Sequence, residues 1–99
     1  MRRAKKDNNH NEIKRDLEEL GFFCEDTHRQ GDGCPDMFVS GLHRGFDAYV
    51  GLMVEIKGKR GKLTPAEEAF FERVNDRHAA IIARSAKDVL EWFEWEVII

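Results

Sequence analysis

Residues 51–58 read GLMVEIKG, and their alternation constrains the fold more than any other stretch of the chain. In an extended backbone Leu52, Val54 and Ile56 share one face, while Met53, Glu55 and Lys57 share the other. The apolar face asks for a covering layer, so this strand belongs in a sheet with helices packed against it. The other face raises a chemical question. A packed strand has no use for a glutamate and a lysine two positions apart on the same side.

The remaining elements follow from periodicity and punctuation. Residues 1–10 read as a flexible basic tail and residues 11–99 as one domain. Ile13, Leu17 and Leu20 recur at helical spacing, with Asn9 or Asn11 as the cap and Gly21 as the stop. FFCEDTHRQ, residues 22–30, reads as a strand and GDG, residues 31–33, as a turn. MFVS, residues 37–40, is a short strand, and GLHRGFDAYVG, residues 41–51, a turn-rich connection. In LTPAEEAFFERVNDR, residues 63–77, Thr64 is the N-cap, Pro65 the first helical residue and Glu67 the partner in a capping box. Ala66, Phe70, Phe71 and Val74 give this helix a stripe to bury. HAAIIA, residues 78–83, reads as a strand that joins in parallel. Ser85 caps a last helix, AKDVLEWF, with Ala86, Val89, Leu90 and Phe93 inward. The final EWEVII fits a frayed tail, an edge strand or a dimer contact. The expected order is α-β-β-β-α-β-α, an α/β arrangement with a mixed central sheet flanked by helices.

Composition excludes several classes. Of the 99 residues 41% are apolar and 35% charged, which suits a soluble domain. No apolar run approaches the roughly 20 residues that span a bilayer, so no membrane partner is expected. The basic start MRRAKKDNNHN has no apolar core of a secretory signal. Cys24 and Cys34 make no disulfide framework, and a reduced, cytoplasmic setting is expected. The net charge of −3 hides an uneven distribution: Lys57, Lys59, Arg60 and Lys62 cluster in one short segment. Such a loop can meet a phosphate backbone, or it can simply be a solvated turn.

Glu55 and Lys57 have a third candidate companion. Asp36 opens the short strand at MFVS, and Pro35 fixes the backbone just ahead of it. A hairpin between the two strands would bring Asp36 and Glu55 together at one end of the sheet. Two carboxylates and nearby carbonyls make a hard oxygen site suited to Mg²⁺ or Mn²⁺. A lysine beside them can orient the attacking water and offset charge that builds on phosphorus. Singly, an E-x-K triplet is an ordinary surface pair; joined to the Pro-Asp and the basic loop it is distinctive.

GCPDMFVSG followed by MVEIKGKRGKLTPAEEAFF, with the helix NEIKRDLEELGF ahead of them, resembles the PD-(D/E)XK nucleases, and most of all their small VRR-NUC branch. The resemblance spans about residues 11–93. It implies a restriction-endonuclease-like core and hydrolysis of DNA phosphodiesters leaving 5′-phosphates. It implies Asp36, Glu55 and the backbone carbonyl of Ile56 as metal ligands, Lys57 as the residue that positions water, and Glu12 as a further acidic member of the site. It also implies a homodimer acting on branched DNA such as four-way (Holliday) junctions, in a bacterial or phage-infected cell. One position departs: the family often has Gln where Glu67 stands, and the capping box accounts for Glu67 without a catalytic part.

Around this centre Lys59, Arg60, Lys62 and Arg29 are the expected phosphate contacts. His28, Arg29 and Gln30 could equally solvate a strand end. Cys24, His28, Cys34 and His43 have no spacing typical of a zinc site. Trp92 and Trp95 suit packing or an interface. Phe22, Phe23, Phe46, Tyr49 or the terminal VII are the apolar candidates for a dimer contact. Two alternatives stay open: a binding module for branched DNA that does not cut, and a nicking nuclease indifferent to DNA structure.

Overall fold

The computed structural model describes residues 9–31, 33–74 and 80–96. The chain runs α1 (His10–Glu19), β1 (Phe23–Asp26), a 3₁₀ turn (His28–Gln30), β2 (Met37–His43), β3 (Ala48–Ile56), α2 (Pro65–Val74), β4 (Ala80–Ala83) and α3 (Ala86–Trp92). The α-β-β-β-α-β-α order is the one expected. The four strands form one mixed sheet in the order β1-β2-β3-β4. β1, β2 and β3 are antiparallel neighbours, and β4 lies parallel to β3.

Leu52, Val54 and Ile56 point into the core as their alternation requires, at 0–1% exposure. Met37 and Val39 of β2 sit opposite Val54 and Leu52 on that face. Ile13 and Leu17 of α1, with Val89, Leu90 and Phe93 of the α3 region, complete the cluster. Each such side chain contributes about 1.5–3 kcal/mol by leaving water. Phe22 locks the turn after α1 into this core, 4.9 Å from the Phe93 ring and 5.0 Å from Trp95. The indole of Trp95 donates to the Leu42 carbonyl at 2.7 Å, so this tryptophan is a packing residue. Phe22, buried, has no surface to offer a dimer.

Several local expectations give way. α1 starts at His10, with Asn9 as cap, inside the segment expected to be a tail; residues 1–8 lie outside the described residues. The Asn9 side chain does not cap the helix. It donates instead to the Lys57 carbonyl at 3.3 Å and the Arg84 carbonyl at 3.0 Å. Leu20 ends α1 exposed, because the chain turns at Gly21 (φ +95°) before its side chain can reach the core. The expected strand at residues 22–30 stops at Asp26, where Thr27 turns its hydroxyl onto the Pro35 carbonyl at 2.6 Å and the chain winds into the 3₁₀ turn. The expected connection at residues 41–51 is mostly strand. β2 and β3 extend as a hairpin to the pair His43↔Ala48, leaving a short turn at residues 44–47. Ser85 caps α3 by position without a side-chain bond; Asp88 accepts from the Arg84 N–H at 2.8 Å instead.

The largest difference is α2. Ala66 is exposed, Phe70, Phe71 and Val74 are half-buried, and no described residue of the helix is fully buried. The core face of the sheet is already filled by α1 and α3, so α2 docks by its first turn. That turn keeps the expected capping box: the Thr64 N–H donates to Glu67 Oε1 at 2.8 Å and the Glu67 N–H to Thr64 Oγ1 at 3.2 Å. Gly33, at φ +79°, lies so close that a Cβ there would strike the Ala66 carbonyl. Gly33→Ala is therefore expected to cost about 1–3 kcal/mol, read as a lower midpoint in urea or thermal unfolding. Residues 75–79 and 97–99, and with them parts of the expected second helix, fourth strand and terminal segment, lie outside the described residues.

Candidate active site

The β2–β3 hairpin supplies the convergence that the sequence calls for. Its register pairs Met37 with Val54, so one further step brings Asp36 alongside Glu55. Asp36 Oδ2 accepts the Ile56 N–H at 2.8 Å, which extends the ladder through a side chain just ahead of the start of β2. Asp36 is thus held against β3 by its own carboxylate.

Glu55 is the anomaly of the molecule. It is 2% exposed, on the sheet face opposite the hydrophobic core, and its Oε1 has no hydrogen-bond partner. Burial, and then the adjacent Asp36 carboxylate, push the Glu55 carboxyl up to about 9. Its other oxygen lies 3.4 Å from Lys57 Nζ. Lys57 reaches further, to Glu67 Oε1 at 2.9 Å. Burial works against the Lys57 ammonium, but the hydrogen bond to Glu67 and the charge of Glu55 outweigh it, and its pKa is raised. For Glu67 burial is likewise outweighed, by the Thr64 N–H and by Lys57, and its pKa is lowered. Glu67 therefore does two jobs at once: it closes the capping box and holds the lysine.

The other expected members are placed as follows. Glu12 stands exposed in the first turn of α1. Lys59, Arg60 and Lys62 are exposed in the loop that leaves β3, and Arg29 is exposed in the 3₁₀ turn. Cys24 is buried, which drives its thiol up to about 11, and His43 is buried beside Phe46 and Glu94. Among the described residues, one trio of His, Cys, Asp or Glu side chains brings its ligand atoms within 4.8 Å of one another, and it is His10, Asp26 and His28. The expected carboxylates do not form a three-carboxylate cage, nor do Cys24, His28, Cys34 and His43 gather.

Two participants have no local signature. Asn9 ties the start of α1 to the end of β3 across 48 positions and to the start of α3 across 75. Arg84, whose guanidinium donates to the Gly58 carbonyl, adds a cation beside the basic loop.

The donor set suits a hard divalent cation. Two carboxylates at the end of a strand leave other positions to a carbonyl, water or a phosphate oxygen, as Mg²⁺ prefers. Glu55 Oε1, buried and without a hydrogen-bond partner, is an acceptor that a cation would satisfy. No protein-family model, curated protein or solved structure matches this chain.

Proposed function

We propose that this protein is a metal-dependent DNA endonuclease of the PD-(D/E)XK type, with Asp36 and Glu55 holding Mg²⁺ or Mn²⁺ and Lys57 steering the attacking water. The observation that carries this reading is Glu55: a buried carboxyl with an unpartnered oxygen, beside Asp36, on a strand that runs directly into an exposed basic loop. Such an arrangement destabilises an empty protein and is best understood as a site for a cation. The element order and the mixed sheet are those expected of a restriction-endonuclease-like core.

When bound, the ion supplies Lewis acidity toward the phosphoryl group. The chain's own residues do the rest. Lys57 stays protonated at neutral pH, so it is a donor and a positive charge, not a base. Fixed between Glu67 and Glu55, it directs the water oxygen at phosphorus and faces the negative charge that builds there. The new P–O bond forms as the bond to the 3′ oxygen breaks; the attacking water gives its proton to bulk water and the departing 3′ oxygen takes one back, leaving a 5′-phosphate and a 3′-hydroxyl. Lys59, Arg60, Lys62 and Arg29 hold the flanking phosphates, and the backbone carbonyl of Ile56 is the further oxygen donor this reading assigns. Cutting both strands of a four-way junction needs two sites related by a two-fold axis, hence a homodimer. Phe23, Tyr49 and Phe46, at 58%, 79% and 70% exposure, offer the apolar surface for it.

The test is cleavage of a labelled four-way junction beside a linear duplex of the same arms, in Mg²⁺, in Mn²⁺ and in chelator. Metal-dependent paired cuts confined to the junction are expected. Cuts on both substrates alike would replace junction selectivity with a structure-indifferent nuclease. Junction binding without cuts in any metal would overturn the enzyme reading in favour of a binding module.

A further inference from the structure

On the core side of the sheet edge, a second cluster stands apart from the carboxylate pair. His10, at 1% exposure in the first turn of α1, places Nε2 2.7 Å from Asp26 Oδ1 at the end of β1. Lys14, one turn further along α1, donates to Asp26 Oδ2 at 3.1 Å. His28 approaches from the 3₁₀ turn, its ring edge-on to that of His10 with centroids 5.7 Å apart. His28 Nδ1 is buried and has no hydrogen-bond partner. An ion pair between His10 and Asp26 would account for two of these groups. It does not account for an orphaned imidazole nitrogen on the same spot, whose burial costs about 1–3 kcal/mol.

We propose that His10, Asp26 and His28 form a site for a borderline transition-metal ion, Zn²⁺ being the probe of choice, separate from the Asp36–Glu55 pair. Two imidazoles and one carboxylate prefer such ions to Mg²⁺, and three protein ligands leave a fourth position for water. The ligand atoms already lie within 4.8 Å of one another. Tetrahedral bonds of about 2.0–2.1 Å would draw them to roughly 3.4 Å apart, a small closure of the 3₁₀ turn onto α1. His10 would exchange its hydrogen bond to Asp26 for the metal, ligating through Nε2 with its ring N–H on Nδ1, while Lys14 would remain as an outer partner of the carboxylate.

The site would also steady the segment that carries Asp36. Thr27 lies between Asp26 and His28; its N–H donates to the Asp36 carbonyl at 2.8 Å and its hydroxyl to the Pro35 carbonyl at 2.6 Å. An ion gripping both neighbours of Thr27 fixes those two bonds.

The experiment is calorimetric titration of the tag-free, chelator-stripped full chain with ZnCl₂ in excess Mg²⁺, which covers the hard oxygen site. One equivalent should bind. His28→Gln, at a half-buried position outside the core, should weaken binding at least about 100-fold, while Glu55→Gln should leave it intact. Co²⁺ in place of Zn²⁺ should give the visible bands of a four- or five-coordinate nitrogen and oxygen site. The proposal is overturned by absent binding, by His28→Gln binding as tightly as wild type, by loss in Glu55→Gln, or by near-ultraviolet thiolate bands from Cys24 or Cys34. None of these readouts depends on cleavage, so failure here leaves the nuclease reading untouched.

Discussion

Lys57→Ala is expected to lower single-turnover cleavage at least about 10²–10³-fold, with little change in unfolding midpoint. Among the described residues the ammonium is the cation paired with Glu55, at 3.4 Å, and it is held 2.9 Å from Glu67. Removing it takes away a donor pre-set for the transition state. The fold should tolerate the loss: the Glu67 carboxylate keeps the Thr64 N–H, and Glu55, its pKa high, is largely neutral near pH 7. Lys57→Arg should recover only part of the rate, since a planar fork cannot reproduce a point charge. Asp36 needs a subtler variant than alanine. Asp36→Ala would also strip the Ile56 N–H of its acceptor and cost about 1–3 kcal/mol, so loss of activity would be confounded with loss of structure. Asp36→Asn keeps an acceptor oxygen and removes only the charge. Full activity in pure, folded Lys57→Ala or Asp36→Asn would sink the mechanism.

The site was legible where its geometry is local. Glu55 and Lys57 share a face because a strand alternates, and Thr64 bonds Glu67 because a capping box spans one turn. Asp36 and Glu55 needed one further inference, that their strands form a hairpin. The sheet edge was harder to read. FFCEDTHRQ has strand composition throughout, but only Phe23–Asp26 finds a partner strand; beyond it Thr27 prefers the Pro35 carbonyl. α2 misled for a related reason. Its apolar stripe is real, yet α1 and α3 already occupy the sheet face on which the described core forms, and periodicity cannot tell which helix gets there. His10 falls in the segment expected to be a tail, and Asn9, expected as a possible cap, spends its side chain elsewhere, because nothing in their own neighbourhood explains them. Their partners, Asp26, Lys57 and Arg84, come from elsewhere in the chain.

Glu55→Gln should abolish cleavage and at the same time stabilise the metal-free protein, by roughly 2 kcal/mol near pH 7 and thus a thermal midpoint higher by roughly 10 °C. In the folded chain the Glu55 carboxyl titrates at about 9, against an ordinary value of 4.5. Below pH 4.5 both states carry the proton and the residue has no effect on stability. As pH rises from there the unfolded chain ionises freely while the folded chain holds its proton, so stability falls until the folded group itself titrates near 9. An uncharged amide escapes that loss, and its N–H can face Asp36. The variant and the wild type should therefore unfold together near pH 4 and diverge steadily toward pH 8, as thermal scans in chelator across that range would record. Mg²⁺ should close the gap from the other side, raising the wild-type midpoint at pH 8 and leaving Glu55→Gln nearly unchanged, because the cation restores the ionised carboxylate that burial forbids. Equal midpoints for the two proteins at every pH would mean that Glu55 is solvated or already paired. The physical case for a cation at this strand would then be lost, whatever the cleavage assay showed.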